Sequence, residues 1–167
     1  NTGTASHQSK GFNLVGNPYP SSVNWQLGDT AWTRTNIDPT IYLWNPVAGQ
    51  YGVYNRLTNI GTHDVDSIIP PKQGFFVHVS SDGTGTLEVN NKARSHHDKD
   101  FLKSSCSLSD FKKLLKLSVS GNGYYDETFI VFEENAGSGF DPDYDAYKIK
   151  GLDEAPQLFT YQDQNSF

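Results

Sequence analysis

A short acidic loop is the segment whose residue types most directly suggest chemistry. Its carboxylates alternate with other residues at Asp141, Asp143 and Asp145, and such a loop can supply the oxygen ligands that Ca²⁺ prefers. Asp126 and Glu127 lie near enough in the sequence to complete a coordination shell if the intervening chain folds back. The spacing lacks the glycine and the glutamate of an EF-hand loop. These five residues are therefore candidate ligands of an irregular calcium site, and an Asx-turn opened by Asp141 is the alternative.

Aromatic side chains suggest a second kind of chemistry, which is the stacking of rings on sugars. The sequence holds 10 Phe, 9 Tyr and 3 Trp, and a large flat ring with a polar edge suits a partly apolar, partly polar ligand. The candidate ligand-binding residues are Trp32, Trp25, Trp44 and Tyr19. We expect Trp32 to be the exposed one. Trp25 and Trp44 are expected to pack mainly in the core, because Trp44 lies in an alternating strand and Trp25 follows a Pro-Tyr-Pro turn.

Signals for catalysis and for other metals are weak. The sequence contains neither a Gly-x-Ser-x-Gly nucleophile elbow nor a glycine-rich phosphate loop. His96 and His97, with His63 elsewhere, suggest zinc, but adjacent histidines in an extended segment point to opposite faces and rarely bind one ion. The single cysteine, Cys106, excludes an internal disulfide framework. We therefore predict no catalytic residues and no cofactor other than calcium.

Charge and composition restrict the partners. Lys and Arg number 13 against 19 Asp and Glu, which gives a net charge of −6, and this balance disfavours binding to nucleic acid or to anionic membranes. No apolar run approaches the roughly 20 residues of a membrane span, so we expect no membrane insertion. The sequence has no methionine. We therefore interpret it as an excised or mature piece of a longer protein, in which it is tethered to other domains.

The pattern of apolar residues predicts an all-β fold. Short alternating runs rich in β-branched and aromatic residues are separated by glycine, proline and asparagine. We expect hairpins between 40–44 and 51–54, between 75–79 and 86–89, and around a turn at 121–123. The predicted architecture is an antiparallel β-sandwich or jelly roll, with an arrangement in two β lobes as a variant.

A polar, weakly patterned stretch in the middle of the chain determines the predicted domain organisation. Residues 1–10 are expected to form a disordered tail, and residues 11–93 a first β lobe. Residues 94–107 are the predicted linker, and residues 108–167 a second β lobe. Three short strands are few for an independent core, so the second lobe either shares the core of the first or is incomplete without strands beyond residue 167.

Several phrases of the sequence occur together in one known group of proteins. They are Gly11–Ser21 with Trp25, Ile41–Asn45, Ile69–Val77, Arg94–His96, Asp126–Thr128, Gly139–Asp141, Asp145–Lys148 and Ala155–Leu158. In this order they resemble a β-rich region of large secreted proteins of Bacteroidota that the type IX system exports, just upstream of the C-terminal sorting domain. The resemblance covers roughly residues 11 to 161. It implies a secreted or cell-surface protein, and it brings no catalytic signature.

These observations together predict a non-catalytic extracellular module that serves a larger secreted or surface protein as a binding or accessory domain. Glycan is the favoured ligand, held by aromatic stacking and by hydrogen bonds from amides and carboxylates. A structural spacer or adhesion stalk without a small-molecule ligand is the alternative. A fragment of a glycan-active hydrolase is a more remote one.

Overall fold

The computed structural model describes residues 11–80, 83–95, 114–137, 139–162 and 165–166. Within these ranges the strands are β1 (Phe12–Gly16), β2 (Ser22–Asn24), β3 (Trp32–Thr35), β4 (Ile37–Asn45), β5 (Gln50–Asn55), β6 (Ile60–Gly61), β7 (Ile68–Ile69), β8 (Gly74–Val79), β9 (Thr86–Val89), β10 (Arg94–Ser95), β11 (Leu114–Gly121), β12 (Tyr124–Val131), β13 (Tyr161–Gln162) and β14 (Asn165–Ser166). The helical element of the described chain is a 3-10 turn at Asn91–Ala93, and none of its helices is long and apolar enough to cross a membrane. The strand pairs are antiparallel, so the predicted all-β, sandwich-like class is confirmed.

The largest sheet has five strands in the order β1, β8, β4, β5, β6. Side chains alternate along a strand, so Ile41 and Leu43 of β4 point to one face, the inner face, and Tyr42 points to the opposite, outer face. β4 and β5 form the predicted hairpin. Gly49 precedes β5 with a φ of 66°, a left-handed conformation that glycine adopts without strain. This hairpin fixes which side chains of β4 and β5 share the outer face.

Two smaller sheets, β10-β2-β7 and β3-β9, contribute their apolar side chains to the inner face. The shared core consists of Val23, Trp25, Ala31, Trp32, Ile41, Leu43, Tyr54, Val65, Ile69, Phe75, Val77 and Ala93. These residues come from strands far apart in the chain. The core therefore holds the first half of the protein together as one layered unit.

The predicted hairpin between 75–79 and 86–89 is wrong. β8 pairs with β1 and β4, whereas β9 pairs with β3 in a different sheet. Gly85, just before β9, lies against the start of β4, since a Cβ placed on it would lie 2.7 Å from Cδ1 of Ile37. A local turn signal identifies where the chain reverses, but it does not identify the partner of the returning strand.

The predicted hairpin around residues 121–123 is confirmed as β11 and β12. Asn122 and Gly123 at its tip have φ values of 55° and 81°, as the two-residue type I′ turn requires. The register runs from Leu114 opposite Val131 to Gly121 opposite Tyr124. This long, regular hairpin is the main element of the second half of the chain.

The boundary predicted at residue 94 lies inside a sheet. Arg94 and Ser95, the first residues of the predicted linker, form β10 and pair with Val23 and Ser22 of β2. The rest of that linker, residues 96–107, lies outside the described residues, as do His96, His97 and Cys106. Arg94 and Ser95 therefore belong to the same sheet as β2.

The second half of the chain packs on the outer face of the five-stranded sheet. The backbone N–H of Tyr147 donates to Oη of Tyr42 at 3.1 Å, and Nδ2 of Asn55 donates to the carbonyl of Asp143 at 2.9 Å. Further along, Nε2 of Gln50 donates to the carbonyl of Pro156. These bonds satisfy polar groups that packing removes from water. The two predicted lobes therefore share an interface, and that interface contains the site described next.

Candidate functional site

A row of aromatic side chains lies on the outer face of the five-stranded sheet. Trp44 is paired across the hairpin with Tyr51, and the rings meet edge to face with centroids 5.0 Å apart. Phe76 of β8 continues the row at 5.9 Å from Tyr51. All three rings are half-buried, and Leu14, opposite Phe76 on β1, is 66% exposed. We call Trp44, Tyr51 and Phe76 the aromatic row, and it presents a ring surface to solvent.

A pocket of about 120 Å³ borders the aromatic row at Tyr51, which is one of its lining residues. It lies between the outer face of β5, strand β12 and the segment 144–149. Its lining combines apolar side chains with hydroxyl, amide and carboxylate groups, contributed by Tyr51, Val53, Asn55, Thr58, Ile60, Thr62, His63, Glu127, Thr128, Phe129, Val131, Tyr144, Asp145, Ala146, Tyr147, Lys148, Ile149, Leu158 and Thr160. Row and pocket together form a continuous surface of rings and hydrogen-bonding groups.

A buried ionic cluster supports one side of this pocket. Asp126 of β12 is 0% exposed. Its Oδ1 contacts Nε2 of His63 at 3.0 Å, and its Oδ2 accepts from Nζ of Lys148 and from the backbone N–H of Leu158, both at 2.6 Å. Burial acts to raise the pKa of Asp126, but the contacts with His63 and Lys148 outweigh it and hold this pKa below its ordinary value. We call His63, Asp126 and Lys148 the ionic cluster.

Glu127, the next residue of β12, extends this set of charges toward the pocket. Its Oε1 accepts from the backbone N–H of His63 at 2.7 Å, and its Oε2 pairs with Nζ of Lys116 at 2.7 Å. His63 itself has a φ of 52°, a left-handed conformation that costs a non-glycine residue about 1–3 kcal/mol. The contacts of His63 with both carboxylates offset that strain. The cluster therefore joins the loop after β6, strand β12 and the chain around residues 148–158.

The prediction that Trp32 is exposed is wrong. Trp32 is 2% exposed, it packs edge-on against Trp25 at 4.9 Å, and its Nε1 donates to the carbonyl of Asn24 at 2.8 Å. This bond gives the indole N–H a partner inside the core, so the ring is buried without an unpaired donor. Exposure was inferred from the polar residues next to Trp32 in the sequence, but these neighbours do not determine whether the ring packs between two sheets.

The other three aromatic candidates lie in different environments. Trp25 is 0% exposed, which confirms its predicted place in the core. Tyr19 is half-buried against that core, and its Oη donates to the carbonyl of Val89. Trp44 was expected to pack mainly in the core, but it lies half-buried on the outer face because Leu43, its neighbour in β4, takes the inner face. Of the four, Trp44 is the one in the aromatic row.

The acidic loop adopts the Asx-turn that the sequence offers as the alternative. Oδ1 of Asp141 accepts from the backbone N–H of Asp143 at 3.0 Å, and Oδ2 of Asp145 accepts from the N–H of Asp141 at 2.8 Å. Burial raises the pKa of Asp145 above its ordinary value. Asp126 and Glu127, the other predicted calcium ligands, hold the ionic contacts described above. Across the described ranges, no three His, Cys, Asp or Glu side chains converge in a way that could hold a metal ion.

The calcium site at Asp141, Asp143 and Asp145 remains a sequence-based prediction. It predicts that adding CaCl₂ to EDTA-treated protein raises the melting temperature, because an ion that binds only the folded state stabilises it by mass action. The measurement is thermal unfolding at fixed ionic strength, with MgCl₂ as the control salt. A melting temperature that calcium and EDTA leave unchanged would remove these three residues from the list of metal ligands.

Sequence reasoning missed Tyr51, Phe76 and Lys148, and it considered His63 only as a weak zinc candidate. Tyr51 could have been predicted, because the correctly predicted hairpin places it opposite Trp44. The other three belong to strands or segments whose partners are far away in the chain, and no local pattern records such pairings.

Comparison with known families identifies the chain. The sequence profile of a family described as Domain of unknown function (DUF8693) matches residues 1–167, so the chain belongs to that family. Comparisons with curated proteins and with solved structures give no significant match.

Proposed function

We propose that this DUF8693 domain is a non-catalytic accessory module of a larger secreted or cell-surface protein, and that it binds glycan through the aromatic row. One observation carries the proposal: three half-buried rings lie side by side on a sheet face and lead directly into a pocket with hydrogen-bonding groups. Ligand sites typically combine an apolar surface with a few placed polar groups. The type IX resemblance supports an extracellular setting, where glycans are the abundant ligands.

The chemistry of the aromatic row suits a sugar ring. Trp44 and Tyr51 offer large apolar area together with an indole N–H and a phenol hydroxyl. Within the described residues neither polar group forms a hydrogen bond, so both can bond sugar hydroxyls. Because the two rings meet edge to face, an amphipathic ring of the ligand would stack on one of them while its edges reach the polar groups. Affinity then arises from apolar area, and orientation from the hydrogen bonds.

The charged groups beside the pocket favour a binding role over a hydrolytic one. Glycoside hydrolysis needs one carboxyl that can donate a proton and a second that is free to act on the sugar. Asp126 is held ionised and out of solvent by His63 and Lys148. Burial raises the pKa of Asp145, so this lining carboxyl is the one suited to donate a proton, but Glu127, the other carboxylate among the described lining residues, is engaged through both of its oxygens. These contacts stabilise the interface of the two halves, which is the role we assign to them.

A retention experiment with matched variants tests the proposal. Affinity electrophoresis through gels containing soluble polysaccharides, with pull-down on insoluble ones, compares the wild type with Trp44→Ala and Phe132→Ala. We expect Trp44→Ala to weaken retention at least about tenfold, because aromatic truncation at the centre of a binding surface costs about 2 kcal/mol or more. Phe132 is 63% exposed and lies outside the aromatic row and the pocket lining, so its removal should leave retention unchanged.

Equal retention of the two variants would show that the aromatic row does not bind the glycan. If the wild type is retained by none of the polysaccharides, the glycan proposal fails and the spacer or adhesion stalk becomes the better account. Circular dichroism of both variants establishes that any loss is not caused by unfolding.

A further inference from the structure

The pocket beside Tyr51 is small. Its volume is about 120 Å³, whereas pockets that enclose drug-sized ligands measure roughly 300–1,000 Å³. A group of this size is a substituent that projects from a ring. If a sugar stacks on the aromatic row, the pocket is placed to receive one of its substituents.

The lining of the pocket combines apolar and polar residues. Val53 and Ile60, on the outer face of β5 and β6, supply apolar surface suited to a methyl group. Thr58, Thr128 and Tyr144 also line the space, and their hydroxyls make no hydrogen bond within the described part of the chain. A hydroxyl both donates and accepts. The pocket thus offers a place for a methyl group next to partners for an N–H and a carbonyl.

The charges around the pocket disfavour an anionic substituent. Among the described lining residues the ammonium group is that of Lys148, which Asp126 already holds at 2.6 Å. The carboxylates of Glu127 and Asp145 line the same space. A uronate or sulfate group would meet like charges without a free cation. A cationic amine would lose far more hydration free energy on entering a partly apolar pocket than a neutral group does.

We infer that the pocket binds the acetamido group of an N-acetylhexosamine whose ring stacks on Tyr51, the member of the aromatic row that lines the pocket. The inference rests on the proposed glycan-binding function and specifies the class of sugar. An acetamido group is neutral, carries one methyl, one N–H donor and one carbonyl acceptor, and fits the volume. The methyl lies against Val53 and Ile60, and the amide bonds the hydroxyls of the lining.

Three oligosaccharides that share one backbone test the inference. Oligomers of N-acetylglucosamine, glucosamine and glucose differ in the substituent at C2, which is acetamido, ammonium or hydroxyl. Isothermal titration with the intact chain should give an affinity for the acetylated oligomer at least about tenfold above that for the other two, because loss of one well-placed apolar or hydrogen-bonding group costs about 1–3 kcal/mol.

A pocket-filling variant, Thr128→Phe, provides the second arm. It should reduce the affinity for the acetylated oligomer to that for the glucose oligomer while leaving the latter unchanged, since the aromatic row is intact. Thr33→Phe, on the exposed position of β3 outside the pocket, is the matched control. Equal affinities of the wild type for the acetylated and hydroxyl oligomers would overturn the inference and leave the proposed function standing. Failure of all three to bind also overturns it, and the wider polysaccharide panel then decides the proposed function independently.

Discussion

Replacing Asp126 by alanine should lower the free energy of unfolding by about 3–5 kcal/mol, the range found when one partner of a buried ion pair is removed. The variant leaves the ammonium group of Lys148, whose side chain is 10% exposed, without its counter-charge. It also leaves the backbone N–H of Leu158 without an acceptor. Since these groups lie on the segment that covers the outer face of the sheet, the loss should loosen that segment. Urea denaturation followed by circular dichroism measures the change.

The matched control is Asp153→Ala, which removes an exposed carboxylate from the same half of the chain. Exposed charges contribute little to stability, so this variant should stay within about 0.5 kcal/mol of the wild type. Similar losses for the two variants would mean that the ionic cluster does not hold the interface.

The pH dependence of Asp126→Asn follows from the pKa of the wild-type residue. This pKa is lower in the folded protein than its ordinary value of 3.8. The stability that ionised Asp126 contributes is therefore present above pH 3.8 and is lost as the pH falls through the lower folded value. The difference in unfolding free energy between the wild type and the variant should stay constant from neutral pH down to about pH 3.8, and then shrink as the pH falls from 3.8 through the lower folded value. A difference that grows on acidification would contradict the assignment.

Trp25→Ala is the second substitution with a large expected effect, a loss of about 3–5 kcal/mol, as measured for buried aromatic residues cut to alanine. The ring is fully buried, with Trp32 at 4.9 Å and the Arg34 guanidinium 4.2 Å from its centroid. Its Nε1 donates to the carbonyl of Pro39 at 2.8 Å. Truncation leaves a cavity between the layers and an unpaired carbonyl.

Trp44→Ala is the natural comparison, because it removes the same side chain from a half-exposed position. Its unfolding free energy should fall much less than that of Trp25→Ala, while its glycan retention should fall more than that of any core variant that still folds. Equal destabilisation by the two substitutions would mean that Trp44 is a core residue and would remove the aromatic row from the account.

Local patterns in the sequence predict those parts of the fold that local interactions determine. The alternation on either side of Asn122 and Gly123 specifies β11 and β12, and the turn before Gln50 specifies β4 and β5. Residues 75–79 and 86–89 carry an equally clear pattern, yet their strands belong to different sheets. Strand partners across a sandwich depend on non-local packing, which a single sequence does not display.

The candidate site, like the fold, could be predicted from the sequence only in part. The chemistry of ring stacking was predictable from composition, and Trp44 was among the residues proposed for it. The choice between Trp32 and Trp44 was not predictable, because it depends on which face of each strand the second layer covers. The ionic cluster was also not predictable from the sequence, because His63, Asp126 and Lys148 approach one another only when the two halves of the chain pack together.

Quenching of tryptophan fluorescence by acrylamide tests the central claim most directly. Trp25 and Trp32 are buried and Trp44 is half-buried, so a collisional quencher reaches mainly Trp44. We expect a bound oligosaccharide to reduce the quenching of Trp44 fluorescence in the wild type. We also expect Trp44→Phe to abolish the quenchable part of the tryptophan fluorescence without unfolding the protein. Quenching that stays unchanged at saturating concentrations of an oligosaccharide shown to bind would place the ligand elsewhere and contradict the account.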